Sequence, residues 1–190
     1  IQTGESSWGL VSYLFRLNYS FKNKYMLTIS GRQDGSSRLT EGNKWAFFPS
    51  VALAWRASEE KFIQNLKIFS NLKIRASYGT SGSQSIAPYS TIDKLRSGST
   101  VIGNQEVITF SPASSANKNL GWERTKQFDF GIDAGFLGGR LNIELDYYYK
   151  KTTDLLLERE LPYQTGFNSI LENVGAVKNY GFEFTVNSVN

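Results

Sequence analysis

Between Tyr13 and Ile29, apolar side chains fall on every second residue. They are Tyr13, Phe15, Leu17, Tyr19 and Phe21, then Tyr25, Leu27 and Ile29 after a Lys22-Asn23-Lys24 turn. Arg16, Asn18 and Ser20 lie between the first set, and Thr28, Ser30 and Arg32 oppose the second. A period of two places the sets on opposite faces of a β-strand. It also predicts the register. With Phe21 opposite Tyr25, Tyr19 meets Leu27 and Leu17 meets Ile29, and a slip of one residue would mix the faces.

The same code recurs around Gly138-Gly139, a two-residue turn of the primed type that hairpins favour. Pairing outward predicts Phe136 with Leu141, Ala134 with Ile143, Ile132 with Leu145, Phe130 with Tyr147, and Phe128 with Tyr149. The other face then pairs Gly135 with Asn142, Asp133 with Glu144, Gly131 with Asp146, and Asp129 with Tyr148. Three further runs, 47–56, 71–80 and 180–187, carry the apolar rows Val51, Leu53, Trp55; Leu72, Ile74, Ala76, Tyr78; and Phe182, Phe184, Val186. The alternation therefore predicts about seven strands. None of these apolar positions is charged. A bilayer enforces such emptiness, because Lys or Arg near its midplane costs about 2–4 kcal/mol. The inner face of a soluble sandwich would be equally uncharged. Upstream of Gly181 the last row would include Lys178 and Glu172, which predicts either a bulge there or protrusion beyond the membrane.

Six connectors follow: a turn at 22–24, a loop at 34–46, a segment at 57–70, a loop at 81–121, the turn at 138–139, and a loop near 157–169. Two of the three odd-numbered ones are tight and every even-numbered one is long, as expected of short periplasmic turns and longer external loops. Segment 57–70 reads as a short amphipathic helix, with Ser58 as N-cap and Phe62 and Leu66 on one face. The Ser/Gly/Thr/Asn-rich stretch from Ser81 to Gly121 is far longer than an ordinary connection, the kind of loop that carries function. Within it, Thr100 to Phe110 reads as a small hairpin about Gly103-Asn104.

Composition narrows the chemistry. Aromatic residues make up 14% of the 190, high for a soluble domain. No apolar run is long enough for a transmembrane helix, but a membrane strand needs only about ten alternating residues. The mean hydropathy of −0.34 therefore does not separate the two cases. With no Cys and no His, thiolate, imidazole and N/S zinc chemistry are excluded, and no cofactor is expected. The net charge of +4 is spread along the chain, which argues against nucleic acid. Ile1 is not an initiator and Asn190 follows directly on a strand-like run, so both ends read as cuts in a longer protein.

Each candidate motif has a plainer reading. Asp133 opposite Glu144, with Asp129 and Asp146 nearby, has the residue types of a catalytic carboxylate pair. A charged wall facing water fits better, with Lys73 and Arg75 of the preceding strand as countercharges. Arg16, Arg32 and Glu183 fall on the same polar parity, so the expected lumen-lining set is Arg16, Arg32, Lys73, Arg75, Asp129, Asp133, Glu144, Asp146 and Glu183. Gly79 to Gln84 lacks the Lys-Ser/Thr ending of a phosphate loop and reads as a strand-end turn. Tyr147-Tyr148-Tyr149 reads as part of an interfacial aromatic girdle rather than a sugar platform. Asp34 to Arg38 reads first as a turn.

A family resemblance enters at that turn. RQDGSSRL (32–39), followed by KWAFFPSVALAWRASEEKF (44–62), resembles the SusC/RagA-like TonB-dependent transporters of Bacteroidetes-type outer membranes. So do LKIRASYGTSGSQSIAPYS (72–90), LGWERTKQFDFGID (120–133), GRLNIELDYYYKKTTDLLL (139–157), LPYQTGF (161–167) and ENVGAVKNYGFEFTVN (172–187). These runs occur in one order and cover most of the chain. Ser83, Lys118 and Leu39 depart from the family's usual Asn, Pro and aromatic.

The resemblance implies that residues 1–190 are a fragment of the barrel domain, from its C-terminal half, with plug and TonB box outside it. It further implies an outer-membrane location and import of glycan or peptide oligomers. The partners it implies are a TonB complex and a SusD-like surface lipoprotein. The expected fold is all-β: about seven strands of a larger antiparallel transmembrane barrel, with long external loops and short periplasmic turns. Loop 81–121, then 35–46 and 157–169, are the expected ligand-facing segments, and no enzyme is expected. A passive porin and a soluble carbohydrate-binding β-sandwich are the alternatives.

Overall fold

The computed structural model describes residues 5–167 and 169–189, so Asn168 of the 157–169 loop falls outside it. The strands are β1 (Leu10–Phe21), β2 (Tyr25–Ser36), β3 (Trp45–Arg56), β4 (Phe69–Ser83), β5 (Lys94–Ile102), β6 (Gln105–Ser114), β7 (Glu123–Phe136), β8 (Leu141–Thr153), β9 (Leu156–Glu160), β10 (Ser169–Asn173) and β11 (Ala176–Ser188). Seven of them form one antiparallel sheet in the order β1-β2-β3-β4-β7-β8-β11. β5 with β6 and β9 with β10 make two separate hairpins. Among the described residues the sheet does not close: β1 and β11 each pair on one side only.

The registers follow the hydrophobic pattern. Phe21 lies opposite Tyr25, Tyr19 opposite Leu27, and Leu17 opposite Ile29. All nine pairings expected of the β7–β8 hairpin are present, from Phe136–Leu141 to Asp129–Tyr148. Its turn is of the primed kind. Gly138 and Gly139 have φ of 68° and 88°, and the Arg140 N–H donates to the Leu137 carbonyl at 3.4 Å. Leu137 also has positive φ, 54°, so the paired strands stop at Phe136 and Leu141.

Strands run further than the alternation alone suggests, which shortens the loops. Asp34, Gly35 and Ser36 belong to β2, because β1 and β3 hold that segment from both sides. Gly79 to Ser83 is likewise strand rather than turn, paired with Glu123 to Gln127 of β7. β8 and β11 pair without interruption from Ala176–Thr153 to Ser188–Leu141. Lys178 therefore stays on the apolar row with no bulge, while Glu172 belongs to β10.

The helix expected over 57–70 is much shorter. A 3-10 turn at Ala57–Glu59 leads into a single helical turn at Lys61–Gln64, and Phe69 and Ser70 already belong to β4. Ser58 lies inside the 3-10 turn and caps nothing. Phe62 and Leu66 remain exposed, so the face they share has no partner to reward a longer helix. Glu60 instead ties this segment to the β1–β2 turn, accepting from Lys24 Nζ at 3.0 Å and Tyr25 Oη at 2.8 Å. Those donors hold its carboxyl below the usual carboxylate range.

Two unlike faces result. Tyr13, Leu17, Leu27, Ile29, Val51, Leu53, Ile74, Phe128, Phe130, Leu145, Phe182 and Phe184 lie on one. Among the described residues no element packs across this face, and Phe182 keeps 75% of its surface open. Aromatics collect at its two ends. Phe21, Tyr25, Trp55, Phe69 and Phe136 stand near the tight turns, and Tyr13, Trp45, Tyr78, Phe128, Tyr149 and Tyr180 toward the long loops. This arrangement of an apolar band between aromatic girdles is that of a membrane barrel wall.

Candidate functional site

By register Arg16, Arg32, Lys73, Arg75, Asp129, Asp133, Glu144, Asp146 and Glu183 share one parity of the sheet, its polar face, and β4, β7 and β8 bring six of the nine together. In one row across β4, β7, β8 and β11 lie Lys73, Asp133, Glu144 and Thr185. The adjacent row holds Arg75, Gly131, Asp146 and Glu183, and the next Ser77, Asp129, Tyr148 and Gly181. Cations on β4 thus face acids on β7 and β8.

Arg75 is the cation that reaches them. Its Nη2 lies 2.6 Å from Asp133 Oδ1 and 3.1 Å from Asp146 Oδ1, while Nε donates to both Asp133 oxygens at 3.1 and 3.0 Å. The fork geometry of guanidinium allows this double grip. Lys73, although opposite Asp133 in register, makes no ion pair among the described residues. Asp129 is held by Ser77 Oγ at 3.0 Å and Gln127 Nε2 at 2.8 Å. Arg16 and Arg32 stand apart on β1 and β2, and Arg32 pairs with Asp34 of its own strand at 2.8 Å.

Gly131 makes the Arg75 bridge geometrically possible. A Cβ there would collide with Asp146 Oδ1 and sit 2.9 Å from Arg75 Cζ and Nη2, so the guanidinium crosses β7 over a bare Cα. A glycine inside a strand marks such close approaches. In the full-length protein, Gly131→Ala is expected to displace Arg75 rather than unfold the sheet, because only flexible side-chain ends are in the way. A double-mutant cycle with Arg75→Ala should then give a coupling of about 1 kcal/mol, reduced from a fully buried value by the partial exposure of the pair. Denaturant titration of the four proteins measures it, and strict additivity would refute the bridge.

The second feature was not foreseen. The only buried apolar cluster among the described residues lies at the long-loop end, where Ala46 and Phe48 of β3 meet residues of the connectors. It joins Leu39, Ala46, Phe48, Ile86, Leu120 and Trp122, with Leu156 and Leu171 packed against it. The Trp122 and Phe48 rings meet edge-on at 5.6 Å, and Trp122 Nε1 donates to the Lys44 carbonyl at 3.1 Å. Asn173 clamps two connectors: its Oδ1 accepts from the Gly121 N–H at 2.7 Å, and Nδ2 donates to the carbonyls of Gly121 and Asp154 at 3.1 and 2.9 Å. Asn117 Nδ2 donates to the Leu171 carbonyl at 2.8 Å. The long loops are thereby packed into one layer.

The expected hairpin about Gly103-Asn104 rises from this layer and is longer than the spacing implied, running from Lys94 to Ser114. Leu95, Val101, Ile108 and Phe110 share one of its faces and are all strongly exposed. The 157–169 loop likewise carries structure, the β9–β10 hairpin. There Arg159 donates from Nε and Nη2 to Glu172, both at 2.9 Å, and holds that carboxyl below its ordinary range.

Comparison with known proteins agrees with this geometry. Residues 2–189 match the family described as TonB dependent receptor-like, beta-barrel. A TonB-dependent receptor of Formosa agariphila is 47% identical over 185 residues, covering 97% of this chain and 19% of that protein. The TonB-dependent receptor SusC of Bacteroides thetaiotaomicron is 39% identical over 189 residues, covering 94% and 18%. Among solved structures, the RagAB peptide transporter superposes with a TM-score of 0.86 at 32% identity, over 95% of this chain and 20% of that one. The siderophore receptor PirA of Pseudomonas aeruginosa, at 15% identity and a TM-score of 0.62 over 93% and 30% of the two chains, shares the fold. The chain spans about a fifth of the length of the curated relatives it matches. An uncovered apolar face between aromatic girdles, a charged opposite face and these likenesses agree: the chain belongs to the β-barrel of the TonB-dependent receptors, in their SusC/RagA-like branch.

Proposed function

We propose that these residues form part of the wall of an outer-membrane importer for glycan or peptide oligomers. It is driven through TonB and covered externally by a SusD-like lipoprotein. The observation that carries this reading is the division of one sheet into an uncovered apolar face and a charged face. Within lipid, a barrel wall satisfies every backbone hydrogen bond in its ladders. On this reading Arg16, Arg32, Lys73, Arg75, Asp129, Asp133, Glu144, Asp146 and Glu183 line a wet interior. Arg75 bridges Asp133 and Asp146 and balances one of their two charges, which suits a passive wall better than acid–base chemistry. Substrate class and lid follow from the likeness to SusC and to RagAB, whose solved structures are described as a peptide transporter. The greasy face of the β5–β6 hairpin is the surface offered to the lid, and the plug and TonB-contacting segment belong to the protein outside these residues.

The test uses the full-length protein in its own bacterium. Deleting its gene should abolish uptake of labelled oligosaccharides or oligopeptides, and complementation should restore it only in cells with TonB and a proton gradient. Uptake that continues after uncoupling would identify a passive channel instead.

A further inference from the structure

We propose that the external end of the apolar face binds the phosphate headgroup of an outer-leaflet lipid through Lys126, Lys151 and Lys178. The proposal rests on the outer-membrane placement argued above. Lys126 of β7 lies directly opposite Lys151 of β8, which lies directly opposite Lys178 of β11. Neighbouring strands are about 4.8 Å apart, so three ammonium groups share a row roughly 10 Å long. Each lysine is two residues beyond an aromatic of the apolar face, namely Phe128, Tyr149 and Tyr180, which are themselves in register. Alternation therefore points the three lysines to the membrane side.

Among the described residues no acid pairs with them. The ion pairs among the described residues join Lys24 with Glu60, Arg32 with Asp34, Arg75 with Asp133 and Asp146, and Arg159 with Glu172. The next row outward, Arg124, Thr153 and Ala176, adds a cation and no acid, and Thr80 extends the lysine row with a hydroxyl. Like charges placed directly opposite each other destabilise a strand pair, so the row is complementary to an anion.

Position decides which anion. Lys126 is ten residues along β7 from Phe136 at the tight-turn end. At about 3.4 Å per residue and a tilt near 40°, the row stands roughly 26 Å from that end, the height of the apolar band. Lysine stems lie along hydrocarbon and carry their charge to headgroup level. One apolar row beyond Phe128, Tyr149 and Tyr180, the Tyr147 and Phe182 rings, 5.0 Å apart, continue the apolar surface for acyl chains. The site thus fits an amphiphile whose phosphate meets the lysines and whose chains lie on the aromatic face, rather than free phosphate.

The test compares full-length wild type with a triple Lys→Gln variant at these positions and with a triple Lys→Arg variant. Each is extracted in mild detergent from native outer membrane, and bound phospholipid and phosphorylated glycolipid are counted per protein by mass spectrometry. Removing each lysine should lower retention about five-fold, so the triple Gln variant loses on the order of 100-fold, whereas the Arg variant stays near wild type. Heat-dependent gel mobility shows that each variant is a folded barrel. Should the triple Gln variant not fold, single Lys151→Gln supplies the five-fold loss. In lipid nanodiscs, phosphorylated lipid should raise the wild-type thermal midpoint, while the same lipid dephosphorylated, or millimolar inorganic phosphate, should not. Equal retention by wild type and a folded Gln variant, or equal protection by inorganic phosphate, overturns the lipid site. Finding the protein outside the outer-membrane fraction would instead overturn the placement on which the site rests.

Discussion

Leu145→Arg in the full-length protein is expected to destabilise the folded barrel by about 2–4 kcal/mol, the cost of a cation near the bilayer midplane. Leu145 lies opposite Ile132 on one side and Phe184 on the other, midway between the ends of the apolar face, and remains 43% exposed. Among the described residues no element packs over it, so its remaining surface meets whatever covers the sheet. Thr185→Arg is the matching control. Thr185 stands one strand away on the polar face, directly opposite Glu144, an acid that makes no ion pair among the described residues. Its effect should stay within about 0.5 kcal/mol, as for ordinary surface substitutions. Urea titration of both variants folded into phospholipid vesicles separates the cases. Equal losses at the two positions would show that the faces do not meet different solvents.

The main sheet was legible because the side-chain period of a strand is two and the decisive turns are short. Gly138-Gly139 and the Lys22-Asn23-Lys24 turn leave little freedom in register, and one register alone sorts apolar from polar. Nothing comparable marks the loop layer. Leu39, Ile86, Leu120 and Trp122 lie far apart in sequence, with no periodicity that sets them above any exposed loop leucine. Segment 57–70 failed for the opposite reason. Its helical spacing was real, but helix length is set by packing, and Phe62 and Leu66 have no neighbouring face to cover. The candidate site was half legible. Parity placed the charged residues on one face, yet which cation meets which acid depended on reach and on the gap at Gly131, where Arg75 arrives and Lys73 does not.

Leu120→Ala is expected to cost about 2–5 kcal/mol in the external layer, the range for truncating a fully buried leucine. Leu120 is 0% exposed and sits among Leu39, Phe48, Ile86 and Trp122, so the cavity it leaves opens between connecting segments that this cluster and several side-chain clamps tie to one another. The loss should therefore be local. Hydrogen exchange should quicken in residues 37–44, 84–92 and 154–175, while the ladders of β7 and β8 keep their protection, because stability is distributed in separate cooperative units. Asn173→Ala removes the clamp on Gly121 and Asp154 and should quicken the same segments. Since both changes release one layer, their effects should fall short of adding. Leu137→Ala, at an exposed position in the opposite turn, should change exchange in neither place. Protection lost across the whole sheet in Leu120→Ala would mean that the cluster is a core on which the barrel wall itself depends. Loss confined to the loops would make it a latch, setting how the β5–β6 hairpin is presented to whatever binds outside.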